Sequence, residues 1–167
     1  YVGTHRKGRE LEMVLSAIVH ALKIGIIAHF RFVGASADDE TRLSRVPGVV
    51  TLIESDVIRF ARPVPRAQLP GIMAVADIGI SLIPPRSVYY EASPSKIAEY
   101  MGAGLAVLAN RGIPMQERFV MESNGGLLVD WNVSAITEGI CSLCVNPNAV
   151  RSYGKNAASY ACQSLQY

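Results

Sequence analysis

Short apolar runs alternate with amphipathic stretches along the whole of this 167-residue chain. That alternation limits it to folds built from βα units. Strands are read at residues 30–33, 57–60, 78–83, 106–109 and 126–129, with Tyr1-Val2 as the end of another. Between them lie helical patterns. In residues 8–24, Leu11, Val14, Leu15, Ile18, Ala21 and Leu22 recur at three- and four-residue spacing, and Gly25 is a stop signal. Further helices are read at 38–45, from Pro47 to 54, and at 68–76, 94–101 and 115–122. Two closing helices, 133–145 and 149–164, are separated by a turn at Asn146-Pro147-Asn148. The expectation is an α/β fold: a doubly wound parallel sheet of about six strands with helices on both faces. The apolar run 78–83 suits a central strand covered on both sides. In such sheets ligands bind beyond the carboxyl ends of the strands. Chemistry is therefore expected in loops 3–8, 34–38, 61–66, 84–93, 110–114 and 130–132.

Composition narrows the class. Half the residues are apolar and 18% are charged, the profile of one packed domain. The net charge of +2 is spread along the chain, with no basic stripe and no interleaved aromatics, so no nucleic-acid partner is expected. No apolar run approaches the roughly 20 residues of a membrane span. Three cysteines, Cys141, Cys144 and Cys162, read as reduced thiols of a cytoplasmic domain rather than a disulfide framework. The Cys141-x-x-Cys144 pair sits in an apolar helical pattern and reads as packing, not as a metal site. The opening Tyr1-Val2-Gly3, already in strand pattern, suggests a domain of a longer protein.

The segment from Glu91 to Val107 carries the most chemistry. Ser93 is a good N-cap and Pro94 suits the first helical position. A helix starting there, after a strand and a loop, offers free N–H groups and the positive end of its dipole, which suits phosphate. Ser95 can add a hydroxyl and Lys96 a charge. Glu91, just before the helix, can accept hydrogen bonds from sugar hydroxyls. Glu99, within it, can hold the two hydroxyls of a ribose diol. A bland alternative stands beside this one. Lys96 and Glu99, at i and i+3, can form a surface pair worth about 0.2–0.5 kcal/mol, and Glu91 can be a solvated loop residue.

The same segment resembles the donor-binding signature of retaining GT-B glycosyltransferases of the group 1 family, which reads E-x-x-P-x-K-x-x-E-x-M-A-x-G-x-P-V. Glu91, Pro94, Lys96, Glu99, Met101, Gly104 and Val107 fall in register. Gly102 replaces the usual Ala and Ala106 the usual Pro, neither at a ligand-contacting side chain. Weaker matches occur in order along nearly the whole chain: Tyr1 to Gly8, Phe32-Val33-Gly34, Val57 to Leu69, Ala76-Asp77-Ile78 and Asn124 to Val129.

The resemblance implies a Rossmann-like half of a GT-B fold, with residues 1–167 as the nucleotide-sugar-binding domain and the N-terminal acceptor domain absent. It implies a nucleoside-diphosphate sugar, UDP- or GDP-linked, as donor, with no cofactor and no metal. Glu91 would contact the transferred sugar and Glu99 the ribose. Backbone amides around Ser93, Pro94, Ser95 and Lys96 would meet the diphosphate, and Lys7 would neutralise it from the loop that begins at Gly3. The reaction would be retaining transfer to a glycan, lipid or small molecule, with Glu91 and Lys7 as the catalytic residues. The parent enzyme would be cytoplasmic, with membrane association open.

Two positions depart from the pattern. Thr4 stands where the family has Arg, in a shorter loop, and Arg6 is the residue that could restore the charge. Arg62 stands two residues after the strand 57–60, where the family usually has a glycine. It can influence base choice or face solvent. His5, Tyr89 and Tyr90 are minor candidates for facing the donor. His20 reads as a surface residue, and Trp131 as packing under the closing helices. The alternative from a different class is a non-catalytic nucleotide-sugar-binding or scaffold module. An epimerase on the same fold would need a His and Glu pattern that the sequence does not show.

Overall fold

A computed structural model describes residues 1–90 and 95–165. Among these residues there are five strands: β1 (Phe30–Val33), β2 (Ile58–Ala61), β3 (Ile78–Ser81), β4 (Ala106–Asn110) and β5 (Gly126–Val129). Eight helices separate or follow them: α1 (Leu11–Lys23), α2 (Ala37–Leu43), α3 (Val49–Glu54), α4 (Leu69–Met73), α5 (Ser95–Gly102), α6 (Pro114–Ser123), α7 (Val133–Cys144) and α8 (Pro147–Ser164). All strand pairs are parallel, as βα units require: β1 with β2, and β3-β4-β5 in that order. Among the described residues the sheet is divided into these two pieces. Tyr1 to Gly3 lies on the free edge of β1, through a Val2–Val33 bridge and a 2.9 Å bond from Gly3 N–H to the Val33 carbonyl. With this segment the strand positions number six, as the sequence predicts.

The double winding shows in the alternation of β4, which is buried along its whole length. Leu108 joins a core with Leu11, Leu15 and Ile18 of α1, Phe32, Ile58, and Ile136, Ile140 and Leu143 of α7. Its neighbours Val107 and Ala109 join a second core on the other face, with Ile97 and Met101 of α5, Phe119 and Val120 of α6, and Ala157 of α8. Successive side chains of a strand point to opposite faces, so one strand feeds both layers. Burying Leu108 alone is worth about 1.5–3 kcal/mol.

Several boundaries differ from the sequence reading for identifiable reasons. Residues 7–9 form a single 3-10 turn, and α1 starts at Leu11 after Glu10 adopts a left-handed conformation (φ 50°). A helix from residue 8 is therefore corrected. Asn146-Pro147-Asn148 is not a turn between helices but the start of α8: the Asn146 side chain accepts the Ala149 N–H at 3.1 Å, and Pro147 takes the first position. Ser36 and Asp39 form a reciprocal capping box that fixes α2 just after β1. Helix α4 spans only Leu69–Met73, shorter than the predicted 68–76. No helix among the described residues is long and apolar enough to cross a membrane.

A cleft of about 690 Å3 lies between the two sheet pieces, lined by Tyr1, Val2, Phe32, Ile78, Ile80 and Tyr100 among others. Its walls also include residues 27–31, at and before the start of β1. It therefore lies largely away from the carboxyl ends of the strands, where ligands bind in this architecture.

Candidate functional site

The carboxyl ends of β1, β2 and β3, and the Tyr1–Gly3 segment, bring four stretches together: loop 3–10, loop 61–68, loop 82–90 and the start of α5. Glycine makes the first possible. Gly3 has φ +132° and Gly34 φ +109°. A Cβ on Gly34 would stand 2.4 Å from the Gly3 carbonyl oxygen, and one on Gly3 would stand 2.3 Å from Lys96 Cε. The first loop is thus pressed between the end of β1 and α5.

Loop 3–10 presents its cations outward. Thr4, Arg6, Lys7 and Gly8 are exposed. Arg6 and Lys7 form no ion pair with any described residue. His5 points the other way. It is 1% exposed, with its ring 5.2 Å from that of Tyr1, 6.1 Å from Phe32 and 6.4 Å from Phe60. Neither ring nitrogen has a well-formed hydrogen bond among the described residues. Burial holds its pKa below the ordinary histidine value, opposed in part by the carbonyls of Gly34 and Gly3 and by the Asp39 carboxylate. His5 therefore packs beneath the loop instead of facing a ligand.

Loop 82–90 folds over the first loop. Tyr89 Oη donates to the Gly8 carbonyl at 3.2 Å, the Arg9 guanidinium lies 4.6 Å from the Tyr89 ring centre, and Arg86 pairs with Glu10. Tyr89 is thereby committed to protein contacts. Tyr90 is 44% exposed.

The root of loop 82–90 is held by a polar cluster that sequence reasoning did not single out. Asn110, fully buried at the end of β4, accepts the Ile83 N–H at 2.7 Å and donates to the Ile83 carbonyl at 2.8 Å. Gln116, also fully buried, donates to the Asn110 carbonyl at 2.8 Å and accepts from Ser81 Oγ at 2.9 Å. The available signal was a polar residue closing an otherwise apolar strand run.

The predicted site residues of α5 diverge in direction. Ser95 is exposed at its start. Lys96 turns back towards the first loop: its Nζ donates to Tyr1 Oη at 2.8 Å and lies 4.3 Å from that ring's centre. Burial, and to a lesser extent the Arg9 charge, pull the Lys96 pKa down to about 7, against the pull of Glu99. The expected alternative of a Lys96–Glu99 surface pair is not what forms. Glu99 is half-buried and pairs with Arg66 of loop 61–68 at 3.3 Å. A concavity of about 600 Å3 runs past Glu99, walled by Arg66, Ser95, Ala98 and Gly102 on one side and by Ala158 and Ala161 of α8 on the other. Glu91, Ser93 and Pro94 lie outside the described residues.

Arg62, left open between base contact and solvent, pairs with Glu40 at 3.1 Å and donates to the Ala35 carbonyl at 3.2 Å. His20 is exposed, Trp131 packs against the first core, and Cys141 and Cys144 are free thiols half-buried against the same core. Among the described residues no group of three or more His, Cys, Asp or Glu could hold a metal ion. The arrangement puts exposed cations on a loop pressed against α5 and a half-buried carboxylate on that same helix. That combination suits an anionic ligand that also carries a diol.

The sequence model of the family described as "Glycosyl transferases group 1" matches residues 1–146. The chain belongs to this family. No curated protein matches it by sequence. Among solved structures, the C-terminal domain of a glycosyl transferase group 1 family protein (LpcC) from Francisella tularensis has a TM-score of 0.78 at 17% identity. That match covers 96% of this chain and 82% of the other. WaaG, a glycosyltransferase involved in lipopolysaccharide biosynthesis, has a TM-score of 0.75 at 18% identity, covering 97% of this chain and 41% of that one. Anabaena Alr3699/HepE, solved in complex with UDP and glucose, has a TM-score of 0.77 at 16% identity, covering 97% and 42%. At these identities the likeness concerns the fold. This group 1 glycosyltransferase chain has the Rossmann-like architecture of one GT-B half. It spans about two fifths of the length of WaaG and HepE.

Proposed function

We propose that this chain is the donor-binding domain of a retaining glycosyltransferase that takes its sugar from a nucleoside-diphosphate sugar, with UDP or GDP as carrier. The observation that carries the reading is the pairing of two features. Exposed Arg6 and Lys7 stand on a glycine-turned loop pressed against α5, and Glu99 sits on that helix, half-buried beside an open concavity. Lys7 and Arg6 neutralise the diphosphate, joined by the free backbone N–H groups around the start of α5. Glu99 accepts both ribose hydroxyls, exchanging its single contact with exposed Arg66 for a bidentate one. Glu91 holds the transferred sugar.

With cationic side chains stabilising the leaving diphosphate, the reaction needs no metal. Acceptor positioning falls to an N-terminal domain across a cleft, so these 167 residues alone bind donor weakly and transfer nothing. Under the same reading the enzyme is cytoplasmic, in keeping with cysteines that the sequence suggests are reduced. The structure of HepE in complex with UDP and glucose supports the donor class.

Calorimetry with UDP and with GDP tests the proposal. Binding of one of them, lost or weakened at least about tenfold in Glu99→Ala, is expected for a lost pair of charge-assisted hydrogen bonds. Unchanged binding in that variant would remove Glu99 from the ribose. Robust sugar transfer by the isolated chain would overturn the division of labour between domains.

A further inference from the structure

Lys96 and Tyr100 lie one turn apart on α5, and both reach back to the first loop. Tyr100 is 2% exposed, and its Oη accepts the Val2 N–H at 2.8 Å. Its ring crosses β3 at Gly79, where a Cβ would stand 2.3 Å from the ring carbon Cγ. Lys96 Nζ donates to Tyr1 Oη, and Tyr1 Oη in turn donates to the Thr4 carbonyl at 2.8 Å. On the opposite side Gly3 N–H is bonded to the Val33 carbonyl. The segment 1–4 is therefore gripped between β1 and α5 just before the exposed cations Arg6 and Lys7.

Resting on the donor-site reading above, we propose that Lys96 and Tyr100 are positioning residues. Through Tyr1 and the Val2 N–H they lock loop 3–8 to α5, so that the cations of the loop and Glu99 of the helix meet one nucleoside diphosphate as a preformed unit. The Lys96 amine then acts on the diphosphate through the loop and not by touching it.

Three observations support a positioning role over simple packing. A half-buried amine is an expensive way to fill space, since an apolar side chain of similar volume packs without desolvating a charge. The amine's donor goes to a phenol that itself holds the loop's backbone, in a relay and not a dead end. Burial raises the pKa of Tyr1 to about 12 and that of Tyr100 further still. Both phenols therefore stay protonated at neutral pH, and the direction of the relay is fixed. The groups facing Lys96 are the Tyr1 phenol, Arg9 and Glu99. The one carboxylate among them, Glu99, is engaged by Arg66 and forms no ion pair with Lys96. A preformed loop spares the ligand the ordering of several residues on binding.

The test uses the 167-residue chain with variants Y1F, K96M, Y100F and the double Y1F/K96M. Binding is measured for UDP, GDP and the nucleosides uridine and guanosine. Each single variant is expected to weaken diphosphate binding about tenfold, the worth of a hydrogen bond to a charged or buried partner. Nucleoside binding should stay within about twofold, because the loop cations meet only phosphate. The double variant should lose no more than the worse single, since both changes cut one relay. Amide exchange at Val2 and Gly3 should speed up in Y100F.

A large loss in K96M with Y1F silent would mean that Lys96 meets the phosphate directly and would overturn the proposal. Equal losses for nucleosides and diphosphates would reduce the residues to packing and would overturn it as well. Should K96M fail to fold, Y1F and Y100F each remove a single oxygen and decide the matter. Failure of the unaltered chain to bind UDP or GDP would sink the donor-site reading itself. Normal binding that no variant disturbs would sink only the lock.

Discussion

Replacing Asn110 with alanine is the sharpest probe of how the site is supported. The Asn110 side chain satisfies both backbone groups of Ile83, the N–H at 2.7 Å and the carbonyl at 2.8 Å, and also donates to the Arg111 carbonyl at 2.8 Å. Both bonds to Ile83 are buried. Alanine leaves those two groups without partners, and a buried unsatisfied group costs about 1–3 kcal/mol. Loss of packing at a fully buried position adds to this. The expected loss is about 3–5 kcal/mol, a large share of the roughly 5–15 kcal/mol that holds a domain together. Urea denaturation should show a lower midpoint with an unchanged slope, and thermal melting a drop of about 10 °C or more. Amide exchange at Ile83 should accelerate beyond the global change, because β3 leads from there into loop 82–90. A loss below about 1 kcal/mol would mean that water or a shifted backbone replaces the side chain, and the claim that Asn110 anchors this loop would fail.

Other outcomes follow from the same geometry. His5 takes up a proton near pH 6.5 when unfolded but resists it when folded, so the unfolded state binds more protons below that pH. Stability should therefore fall as pH drops through about 6.5, and His5→Phe should flatten that slope in denaturation curves at pH 5, 6 and 7. Lys96 titrates at about 7 when folded against 10.5 unfolded, so stability should rise with pH across that span. Between pH 8 and 10 K96M should remove the rise, and an unchanged slope would place the lysine in solvent. Leu108→Ala, in the strand that serves both cores, should cost about 2–5 kcal/mol by urea denaturation. Gly79→Ala should disturb the Tyr100 ring and bring the same loss of diphosphate binding as Y100F, checked by calorimetry with UDP and GDP.

The fold was legible because its signals are local and repeated. Each strand run and each amphipathic helix announces itself within about ten residues, and parallel winding follows from their alternation. The two exact strand matches, 30–33 and 126–129, are short runs rich in apolar residues, each with a glycine beside it. The misplaced boundaries depend on single caps. Asn146 followed by proline reads equally as a turn or as a helix start, and only the bond from Ala149 decides between them. The site was legible in residue type but not in direction. Spacing puts Lys96 and Glu99 on one helix. It does not say that Lys96 turns to Tyr1, 95 residues away in sequence, or that Glu99 finds Arg66. The Asn110–Gln116 cluster was missed for the same reason, since its partners are set by tertiary structure.

The distribution of charge along the carboxyl edge is itself an argument for an anionic ligand. Arg42 pairs with Glu12 and Asp39, Arg62 with Glu40, Arg66 with Glu99 and Arg86 with Glu10, while Arg9 rests on the Tyr89 ring. Against that background Arg6 and Lys7, at the loop's tip, stand without a carboxylate among the described residues. Unpaired cations on a surface are ordinary where the backbone is free to move. Here the loop beneath them is fixed by Gly3, Tyr1, His5 and the contacts of Arg9 and Tyr89. Holding two like charges in a fixed loop stores repulsion that a bound anion would relieve. If so, Arg6→Gln and Lys7→Gln should each raise the melting temperature slightly or leave it unchanged while weakening UDP or GDP binding. Stability and affinity moving down together would instead mark both residues as ordinary parts of the fold.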